Sequence, residues 1–489
     1  MKATLCLLAF LWSLVLSAQS VNLSRLDSLT AAYQKSGYHG VILVAKGDTV
    51  LYTKAYGLAN FDKKIPHTTN TLFKTESVGK MFTATSILQL MESGKLRLDQ
   101  TVKELLPDLH IANADKITVH HLLTHTSGMQ SPWDHPQWTF KKVYSRAELQ
   151  KIIEEVPPVF DTPGKEMSYS NSGYVVLGWI IEKVSGEPYD QYFQKHFFDP
   201  LRMTATRQLG DTVMPLKTGA QPYRVLNSTK YITMSETVGP QSSAAGGWVS
   251  TVGDLYKFMA ALYGGRLLKP DTWTMMRTAN GTAPKEGFYR YYAYGLETFS
   301  NMWLPDRAIY GHNGGGAGFA VDAYVEPLSG TIVVSCTNLY QNSRPIAANY
   351  FKATLGQPMM PVTIPPTVTL YDKVQELGID SFVARGKEVF QSVGLQPDPG
   401  MFAQVGEAMD AAGDRETAVK WMGLGRSLFP EEGYLYLLSG NSYAAKGDKE
   451  QAKKMYESAR QLAQKKGDGR LLQEAERRLK AFGSGSTTK

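Results

Sequence analysis

A cluster of four prolines constrains this chain more than any other feature of its sequence, because it divides the chain into two parts. The four are Pro358, Pro361, Pro365 and Pro366. Proline lacks a backbone N–H and fixes one dihedral angle, so this stretch is unsuited to a helix interior or an inner strand. The chain has 489 residues, roughly two to three times the usual length of a domain. We therefore predict two folded units, residues 19–356 and 371–482, joined by a linker of residues 357–370.

Beyond the prolines, small residues recur at an interval of 34. The first set is Gly406, Gly413, Asp414 and Ala418, and the second is Gly440, Gly447, Asp448 and Ala452. Small residues where two helices approach, with Gly-Asp at the turn, resemble tetratricopeptide repeats. A weaker copy at Asp380 and Ala384 raises the prediction to roughly three helical hairpins. We expect a capping helix over residues 471–482 and a flexible tail over 483–489. The module is either an appendage packed on the first unit or a surface that binds a protein partner.

The first eighteen residues have the pattern of an export signal. Lys2 precedes an apolar run from Leu5 to Leu16, and Ser17-Ala18 supplies small residues for cleavage. The run holds about twelve residues, whereas a membrane-spanning helix needs about 20. We expect a protein that is periplasmic or secreted after cleavage near Ala18, with no transmembrane span in the mature chain.

The charge and cysteine content exclude several functions. The chain has 52 basic and 45 acidic residues, a net charge of +7, and no basic arm or zinc-finger spacing, so a nucleic acid partner is not predicted. Cys336 is the only cysteine left after signal removal, so no intramolecular disulfide is available. It falls in the mainly apolar run of residues 331–336, which favours a buried, inert thiol over a nucleophile.

The first unit has strand patterns near both of its ends. Residues 40–45 and 49–56 flank a Lys-Gly-Asp turn and predict a hairpin, and further strands are predicted over 303–310, 318–324 and 331–336. Apolar residues between them follow helical spacing. The predicted fold class is α/β (α+β): one antiparallel sheet flanked by helices, with an inserted helical lobe.

The main candidate for chemistry is the segment from Thr75 to Lys80. Ser77 and Lys80 are three residues apart at the start of a predicted helix, which puts both on one face of its first turn. The helix N-terminus favours negative charge that develops when Ser77 attacks a carbonyl. Lys80 is able to act as a base if burial lowers its pKa.

Two further segments complete the candidate site. Tyr169 and Asn171 follow a turn at residues 161–164, on a predicted loop, and offer a phenol for proton exchange and an amide that holds either substrate or Lys80. His312, Gly314 and Gly315 belong to a glycine-rich run between two predicted strands. Glycines let a substrate approach the backbone, where an N–H can stabilise an oxyanion.

Ser77-x-x-Lys80, Tyr169-x-Asn171 and His312-x-Gly314 resemble, in order, the three motifs of the class C β-lactamase and penicillin-binding-protein superfamily. The resemblance covers residues 23–356 and implies a class C β-lactamase-like fold. It also implies Ser77 as nucleophile, Lys80 as its activator and Tyr169 as the proton shuttle that activates water. Asn171, His312 and Gly314 would then bind substrate, and the N–H of Gly315 would share the oxyanion with that of Ser77.

One departure from the family pattern shifts the expected substrate. Many members have a lysine that binds substrate carboxylate where this chain has His312, and histidine is mostly neutral near pH 7. A histidine there resembles the esterase and D-aminopeptidase members. We therefore expect hydrolysis of esters or small amides such as D-amino-acid peptides. The alternatives are a β-lactamase or D,D-peptidase, and a catalytically silent scaffold that binds a ligand in the cleft and a partner through the repeats.

Two other residue groups have competing interpretations. His120, His121 and His125 lack the spacing of a zinc site, so structural roles are favoured and no metal or cofactor is predicted. Four tyrosines either line a substrate cleft or, as we prefer, pack on both faces of a strand. They are Tyr289, Tyr291, Tyr292 and Tyr294. No G-x-S-x-G elbow occurs, which argues against an α/β-hydrolase.

Overall fold

The computed structural model describes residues 22–209, 219–234, 242–278, 291–316, 318–339 and 343–483. The predicted export signal, Tyr289 and residues 484–489 of the predicted tail lie outside these ranges. In the ranges that are described, no helix has the length and apolar character needed to cross a membrane.

The strands are β1 (Gly40–Lys46), β2 (Thr49–Tyr56), β3 (Leu58–Asn60), β4 (Ile65–Pro66), β5 (Phe73–Lys74), β6 (Tyr223–Val225), β7 (Tyr231–Thr233), β8 (Val249–Ser250), β9 (Tyr291–Tyr292), β10 (Glu297–Ser300), β11 (Ala308–Gly316), β12 (Phe319–Glu326) and β13 (Thr331–Thr337). The helices of the first unit are α1 (Leu23–Lys35), α2 (Lys80–Glu92), α3 (Val102–Leu105), α4 (Val119–Leu123), α5 (Arg146–Glu155), α6 (Asn171–Ser185), α7 (Tyr189–Phe193), α8 (Val252–Tyr263), α9 (Pro270–Arg277) and α10 (Arg344–Thr354). The later helices are α11 (Pro366–Leu377), α12 (Ile379–Ala384), α13 (Gly386–Ser392), α14 (Pro399–Ala411), α15 (Arg415–Leu428), α16 (Gly433–Ala445), α17 (Lys449–Lys466) and α18 (Gly469–Gly483).

An antiparallel sheet assembled from both ends of the first unit is the centre of the fold. Its strand order is β2-β1-β13-β12-β11-β10-β9. The pairing of β1 with β13 brings Gly40 opposite Thr337, nearly 300 residues away in sequence. The predicted antiparallel sheet with flanking helices and a helical lobe is confirmed.

Both faces of the sheet are buried, which explains why β1 is apolar along its length. Val41, Leu43 and Ala45 belong to the core under α2, α6 and α8, whereas Ile42 and Val44 belong to a second core under α1 and α10. Successive side chains of a strand point to opposite faces, so a continuous apolar run serves a sheet that is covered on both sides. The sheet is therefore a rigid support for the loops and helix ends beside it.

Strand β11 differs from the prediction. A strand over 303–310 followed by a glycine-rich connection was expected, but β11 begins at Ala308 and runs through the glycines to Gly316. These glycines pair in register with β12, for example Gly314 with Val321. Glycine normally weakens a strand, and its tolerance here follows from another backbone that approaches closely. A Cβ at Gly314 would lie 2.0 Å from the carbonyl oxygen of Thr75.

The C-terminal helices pack in antiparallel pairs, and the glycines of the 34-residue interval lie where two helices touch. A Cβ at Gly406 would lie 2.0 Å from Met422, and one at Gly440 would lie 2.4 Å from Tyr456. The weaker upstream copy is less regular, because α12 is short and α13 follows it directly. The repeat class stays a prediction.

The extended linker ends earlier than predicted. It stops at Pro365, and Pro366 is the first residue of α11. The first helical position tolerates proline because its missing N–H would have no partner inside the helix. The division into units at this point stays a prediction.

The C-terminal helices dock on the hairpin of β6 and β7. Leu226, 3% exposed, belongs to the same core as Leu370, Tyr371 and Val374. The backbone N–H and the hydroxyl of Ser228 both donate to the carboxylate of Asp372, at 3.1 Å each. The later helices are thus attached to the first unit through a shared apolar core and through the hydrogen bonds from Ser228 to Asp372.

Candidate active site

Ser77 lies in a 3₁₀-helix, Glu76–Gly79, that leads directly into α2. This turn is held from both sides. The N–H of Thr75 donates to Trp248 O at 2.7 Å, and the N–H of Gly247 donates to Glu76 O at 3.0 Å. Glu76 has φ of 47°, an unfavourable value for a residue with a side chain, and such strain persists where the surroundings impose it.

Lys80 is fully buried and points at Ser77. Its Nζ lies 3.1 Å from Ser77 Oγ, 2.6 Å from Asn171 Oδ1 and 2.7 Å from the carbonyl oxygen of Ala245. A neutral amine has two N–H donors and one lone pair. The Asn171 and Ala245 oxygens accept the two N–H groups, so the lone pair is left for the hydroxyl proton of Ser77.

Burial sets the protonation state of Lys80. Loss of solvent lowers the pKa of Lys80 well below its usual value, while the carboxylates of Glu76 and Glu297 oppose this change. Both carboxylates have basic partners of their own. Lys74 lies 3.8 Å from Glu76, and Arg344 lies 2.6 Å from Glu297. The buried amine therefore has a lowered proton affinity, as a general base near neutral pH requires.

Asn171 opens α6 instead of lying on a loop as predicted. Ser170 caps the helix by accepting from Gly173 N at 3.0 Å, so the helix begins one residue later. The N–H of Asn171 and its side-chain amide both donate to Ser131 Oγ, at 3.1 and 3.2 Å. This orients the amide oxygen toward Lys80. Of the two roles considered from the sequence, holding Lys80 is the one that the hydrogen bonds support.

Tyr169 lies just before that helix, beside the lysine. Lys80 Nζ is 4.9 Å from the centre of the Tyr169 ring. The ring packs at 4.1 Å, centre to centre, on His125 and at 6.4 Å from His312. The structure thus brings the phenol, the amine and the hydroxyl into one site.

His312 is 1% exposed, and both of its ring nitrogens have partners inside the protein. Nδ1 lies 2.5 Å from the carbonyl oxygen of Asn313, and Nε2 lies 3.0 Å from the hydroxyl of Tyr292. A carbonyl only accepts, so Nδ1 carries the proton and Nε2 accepts from Tyr292. Burial and the nearby Lys80 lower the pKa of His312 well below its usual value. The ring is neutral and does not supply a positive charge for a substrate carboxylate.

The glycines of β11 form the edge of the site. Gly314 is buried against Thr75, while Gly315 is exposed and lines the cavity that contains Ser77. The N–H of Gly315 is therefore near the surface that a substrate reaches. Its predicted role as an oxyanion donor stays a prediction.

Of the remaining candidates, His125 and Cys336 are buried in the protein, whereas His120 and His121 are half-buried. His125 is fully buried among Tyr169, Tyr174 and Tyr292, and its Nδ1 accepts from Ser170 N at 3.1 Å. Among the residues that are described, no group of three or more His, Cys, Asp or Glu side chains is arranged to hold a metal. Cys336 is buried, and burial raises the pKa of its thiol well above the usual value.

A cavity of about 840 Å³ opens in front of Ser77. Asn171 and Gly315 line it, as do the aromatic rings of Trp133, Trp138 and Phe140. The apolar rings can bury an apolar part of a substrate, and the polar edge near Ser77 can bind a carbonyl. The volume suits a small molecule or a short peptide.

Sequence reasoning missed two contributors to this site, the carbonyl of Ala245 and the hydroxyl of Ser131, and it named Tyr292 without predicting its hydrogen bond to His312. Ala245 directly precedes Gly246 and Gly247, and this pair of glycines was the available signal. Ser131 and Tyr292 act on Asn171 and His312 through hydrogen bonds between distant parts of the chain. No local pattern predicts either of these hydrogen bonds.

Known proteins resemble this chain over the same region. A profile of the Beta-lactamase family matches residues 26–356. Penicillin-binding protein 4* of Bacillus subtilis (strain 168) is 30% identical over 272 residues, which are 52% of this chain and 60% of that protein. PbpX, a putative penicillin-binding protein of the same organism, is 29% identical over 339 residues, 67% of this chain and 77% of its own.

Among solved structures, a D-stereospecific amidohydrolase from Streptomyces sp. is 26% identical, with a TM-score of 0.56. The match covers 67% of this chain and 99% of that one. The chain spans less than two thirds of penicillin-binding protein 4*, so that relative matches it only in part. The range matched by the family profile contains Ser77, Lys80, Tyr169, Asn171 and His312.

Proposed function

The chain belongs to the β-lactamase family of serine hydrolases, and from that premise we propose that it hydrolyses ester or small amide bonds through an acyl-enzyme on Ser77. The observation that carries the proposal is the environment of Lys80. Its Nζ lies 3.1 Å from Ser77 Oγ and within hydrogen-bond distance of Asn171 Oδ1 and Ala245 O, so the neutral amine, with its two N–H groups donated to these two oxygens, directs its lone pair at Ser77. A nucleophile beside a base that is itself oriented by other groups is the arrangement of covalent catalysis.

In the acylation step, Ser77 Oγ attacks the substrate carbonyl and its proton passes to Lys80 Nζ. The carbonyl oxygen becomes negative and accepts hydrogen bonds from the N–H groups of Ser77 and Gly315, at the positive end of α2. The proton then reaches the leaving oxygen or nitrogen through Tyr169. The bond to the leaving group breaks, and an ester of Ser77 remains.

In the deacylation step, water attacks the ester carbonyl. Tyr169 and Lys80 together accept the water proton, the same oxyanion site stabilises the intermediate, and Ser77 regains its proton as the acid leaves. The phenol lies beside the amine, which supports a shared proton path. Water is the only co-reactant that the reaction needs.

Neutral His312 favours substrates without an obligatory carboxylate. The similarity to a D-stereospecific amidohydrolase supports small amides of D-amino acids as one substrate class. The similarity to penicillin-binding proteins supports a second candidate, a β-lactamase or D,D-peptidase. We also propose that the protein is exported, on the basis of its first eighteen residues.

The proposal is tested by labelling with a fluorophosphonate probe. We expect one probe per chain, attached to Ser77, and no labelling of Ser77→Ala, because only Ser77 is activated by Lys80. The matched control is Ser93→Ala, at the C-terminal end of α2. A p-nitrophenyl ester, a D-alanyl amide and a chromogenic cephalosporin are then compared. Labelling of Ser77→Ala at the rate of the parent would show that the nucleophile is misassigned, and dominant cephalosporin turnover would favour the second candidate.

A further inference from the structure

The cavity in front of Ser77 is not formed by the first unit alone. Four residues of the C-terminal helices line it together with Ser77, Asn171 and Gly315. They are Thr367 of α11 and Gln404, Glu407 and Ala408 of α14. The C-terminal helices therefore form one wall of the same space in which the substrate would bind.

This wall is fixed in place by burial. Leu226, on the hairpin that carries Arg224, lies in one core with Leu370, Tyr371 and Phe402. Phe402 is on α14, the helix that presents Gln404 and Glu407 to the cavity. A buried apolar core holds its helices in one packing arrangement, so the position of Glu407 relative to the cavity is set by the fold.

Among the residues that the structure describes, the carboxylate of Glu407 forms a hydrogen bond but no salt bridge. The hydroxyl of Tyr434 donates to its Oε1 at 3.3 Å. Within the described residues, no Lys, Arg or His nitrogen lies within 4.0 Å of its carboxylate. Burial raises the pKa of the Glu407 carboxyl, and the charge of Arg224, which also lines the cavity, opposes this change. By contrast, Glu76, the other carboxylate of the cavity, lies 3.8 Å from Lys74.

We propose that the C-terminal helical module is a substrate-selecting wall of the active site, and that Glu407 binds a positively charged group of the substrate. The chemical class that fits is an amide or short peptide with a free ammonium, such as a D-amino-acid amide. This inference rests on the proposed function of Ser77. An ammonium near Glu407 gains a charge-assisted hydrogen bond in a partly desolvated site, where such bonds are strong.

A simpler role for Glu407 is to balance the charge of Arg224. The two roles predict different effects of Glu407→Gln. Loss of a charge-balancing group changes the affinity of the cavity for every ligand to the same extent. Loss of an ammonium site weakens only ligands that carry the ammonium.

The experiment measures how well small amides protect Ser77 from a fluorophosphonate, so it does not depend on turnover. The two amides are D-alaninamide, which carries an ammonium, and N-acetyl-D-alaninamide, which does not. In Glu407→Gln we expect the protection constant of D-alaninamide to weaken at least tenfold and that of the acetylated amide to change less than twofold. Glu450→Gln, an exposed glutamate of α17, is the matched control and should leave both constants unchanged.

A second variant keeps the proposal testable if Glu407→Gln does not fold correctly. Gln404 is exposed, lines the cavity and lies three residues before Glu407 on the same helix. Gln404→Lys places an ammonium beside Glu407 and should compete with that of D-alaninamide. Gln391→Lys, on α13 and also exposed, should have no effect.

The outcomes separate the two proposals. If Ser77 is labelled but the parent is not protected by D-alaninamide, or if Glu407→Gln weakens both amides equally, the ammonium site is wrong while the nucleophile stands. If Ser77 is not labelled at all, the proposed function fails and this inference fails with it.

Discussion

Lys80 shows how one side chain acquires chemistry from its surroundings. In water its amine holds a proton up to a pH of about 10.4. In the folded protein it is fully buried and its nearest neighbours are a hydroxyl, an amide oxygen and a carbonyl oxygen. Both the lowered pKa and the orientation toward Ser77 come from this pocket. Residue 80 is therefore costly for stability and necessary for the proposed reaction.

Lys80→Met separates these two effects, because it keeps the length of the side chain and removes the amine. We expect fluorophosphonate labelling of Ser77 to fall by about 10²-fold or more, since general-base assistance contributes about 10² to 10⁴. At pH values between the folded-state and the unfolded-state pKa of Lys80, the unfolded chain binds more protons than the folded chain does. The free energy of unfolding of the parent therefore rises with pH relative to Lys80→Met, by up to about 1.4 kcal/mol per pH unit.

Urea unfolding of both proteins at several values between pH 7 and 10 checks this expectation. The free energy of unfolding of the parent, minus that of Lys80→Met, should increase steadily as the pH rises. A difference that stays constant over this range would mean that Lys80 keeps its proton in the folded protein, and the base assignment would fail.

At the scale of secondary-structure elements, the site forms where strand β11 contacts the 3₁₀-helix Glu76–Gly79. The glycines of β11 allow its backbone to touch the 3₁₀-helix that carries Ser77. On the opposite side, a Cβ at Gly246 would lie 2.2 Å from the carbonyl oxygen of Glu76. The turn is thus held between two stretches of backbone that have no side chains at the contact points. This contact imposes the positive φ of Glu76.

Gly314→Ala tests the contact between β11 and the turn that carries Ser77. The added Cβ would lie 2.0 Å from Thr75 O, so the strand or the turn must move, at a cost of about 1–3 kcal/mol. We expect a lower free energy of unfolding in urea and slower labelling of Ser77. Gly315→Ala is the control for stability alone, because the nearest atom to its Cβ is 3.7 Å away. Equal stability of both variants would show that the close approach is absent.

The C-terminal helices offer a second test with two glycines on α15. A Cβ at Gly425 would lie 2.9 Å from the ring of Phe402, whereas one at Gly423 meets only the end of Arg426 at 3.8 Å. Alanine is favoured over glycine in a helix by about 1 kcal/mol. Gly423→Ala should therefore stabilise the protein in urea unfolding, and Gly425→Ala should destabilise it by about 1–3 kcal/mol. Changes of the same sign would contradict the packing of α15 on α14.

At the scale of the whole molecule, the two parts of the chain share a core and a cavity. Leu226 belongs to the first unit in sequence, yet its neighbours in the core are residues of the C-terminal helices. The module is therefore more than a tethered appendage. Under the proposed role of Glu407, its position beside the cavity makes attachment a condition for substrate selection.

Leu226→Ala should loosen this attachment. Removing a buried leucine side chain costs about 2–5 kcal/mol, and here the cost falls on the junction between the parts. We expect faster proteolytic cleavage within residues 357–365, followed by separation of two fragments on a gel. Leu328→Ala is the matched control, because Leu328 is 78% exposed and contributes little to any core. Cleavage of the two variants at the same rate would mean that Leu226 does not join the parts.

Much of the site could be predicted from the sequence, because the residues of each motif lie close together in the chain. The spacing of three between Ser77 and Lys80 brings the two side chains together through helix geometry, and Gly315 lines the cavity that contains Ser77. The strand through the glycines was not readable, since glycine is normally a turn signal. Its tolerance depends on Thr75, which is 239 positions away. The start of α6 at Asn171 depended on the cap by Ser170, and the loop prediction missed it.

The sequence by itself determined the groups that are available and their local spacing: a hydroxyl and an amine on one helical turn, a phenol two residues from an amide, and glycines in a row. These follow from the fixed geometry of the backbone. Only the tertiary structure decided that Ala245 and Asn171 hold Lys80, that His312 is neutral, and that Glu407 lines the cavity of Ser77. Such properties arise from burial and from contacts between distant segments, and neither is encoded in the residues nearby.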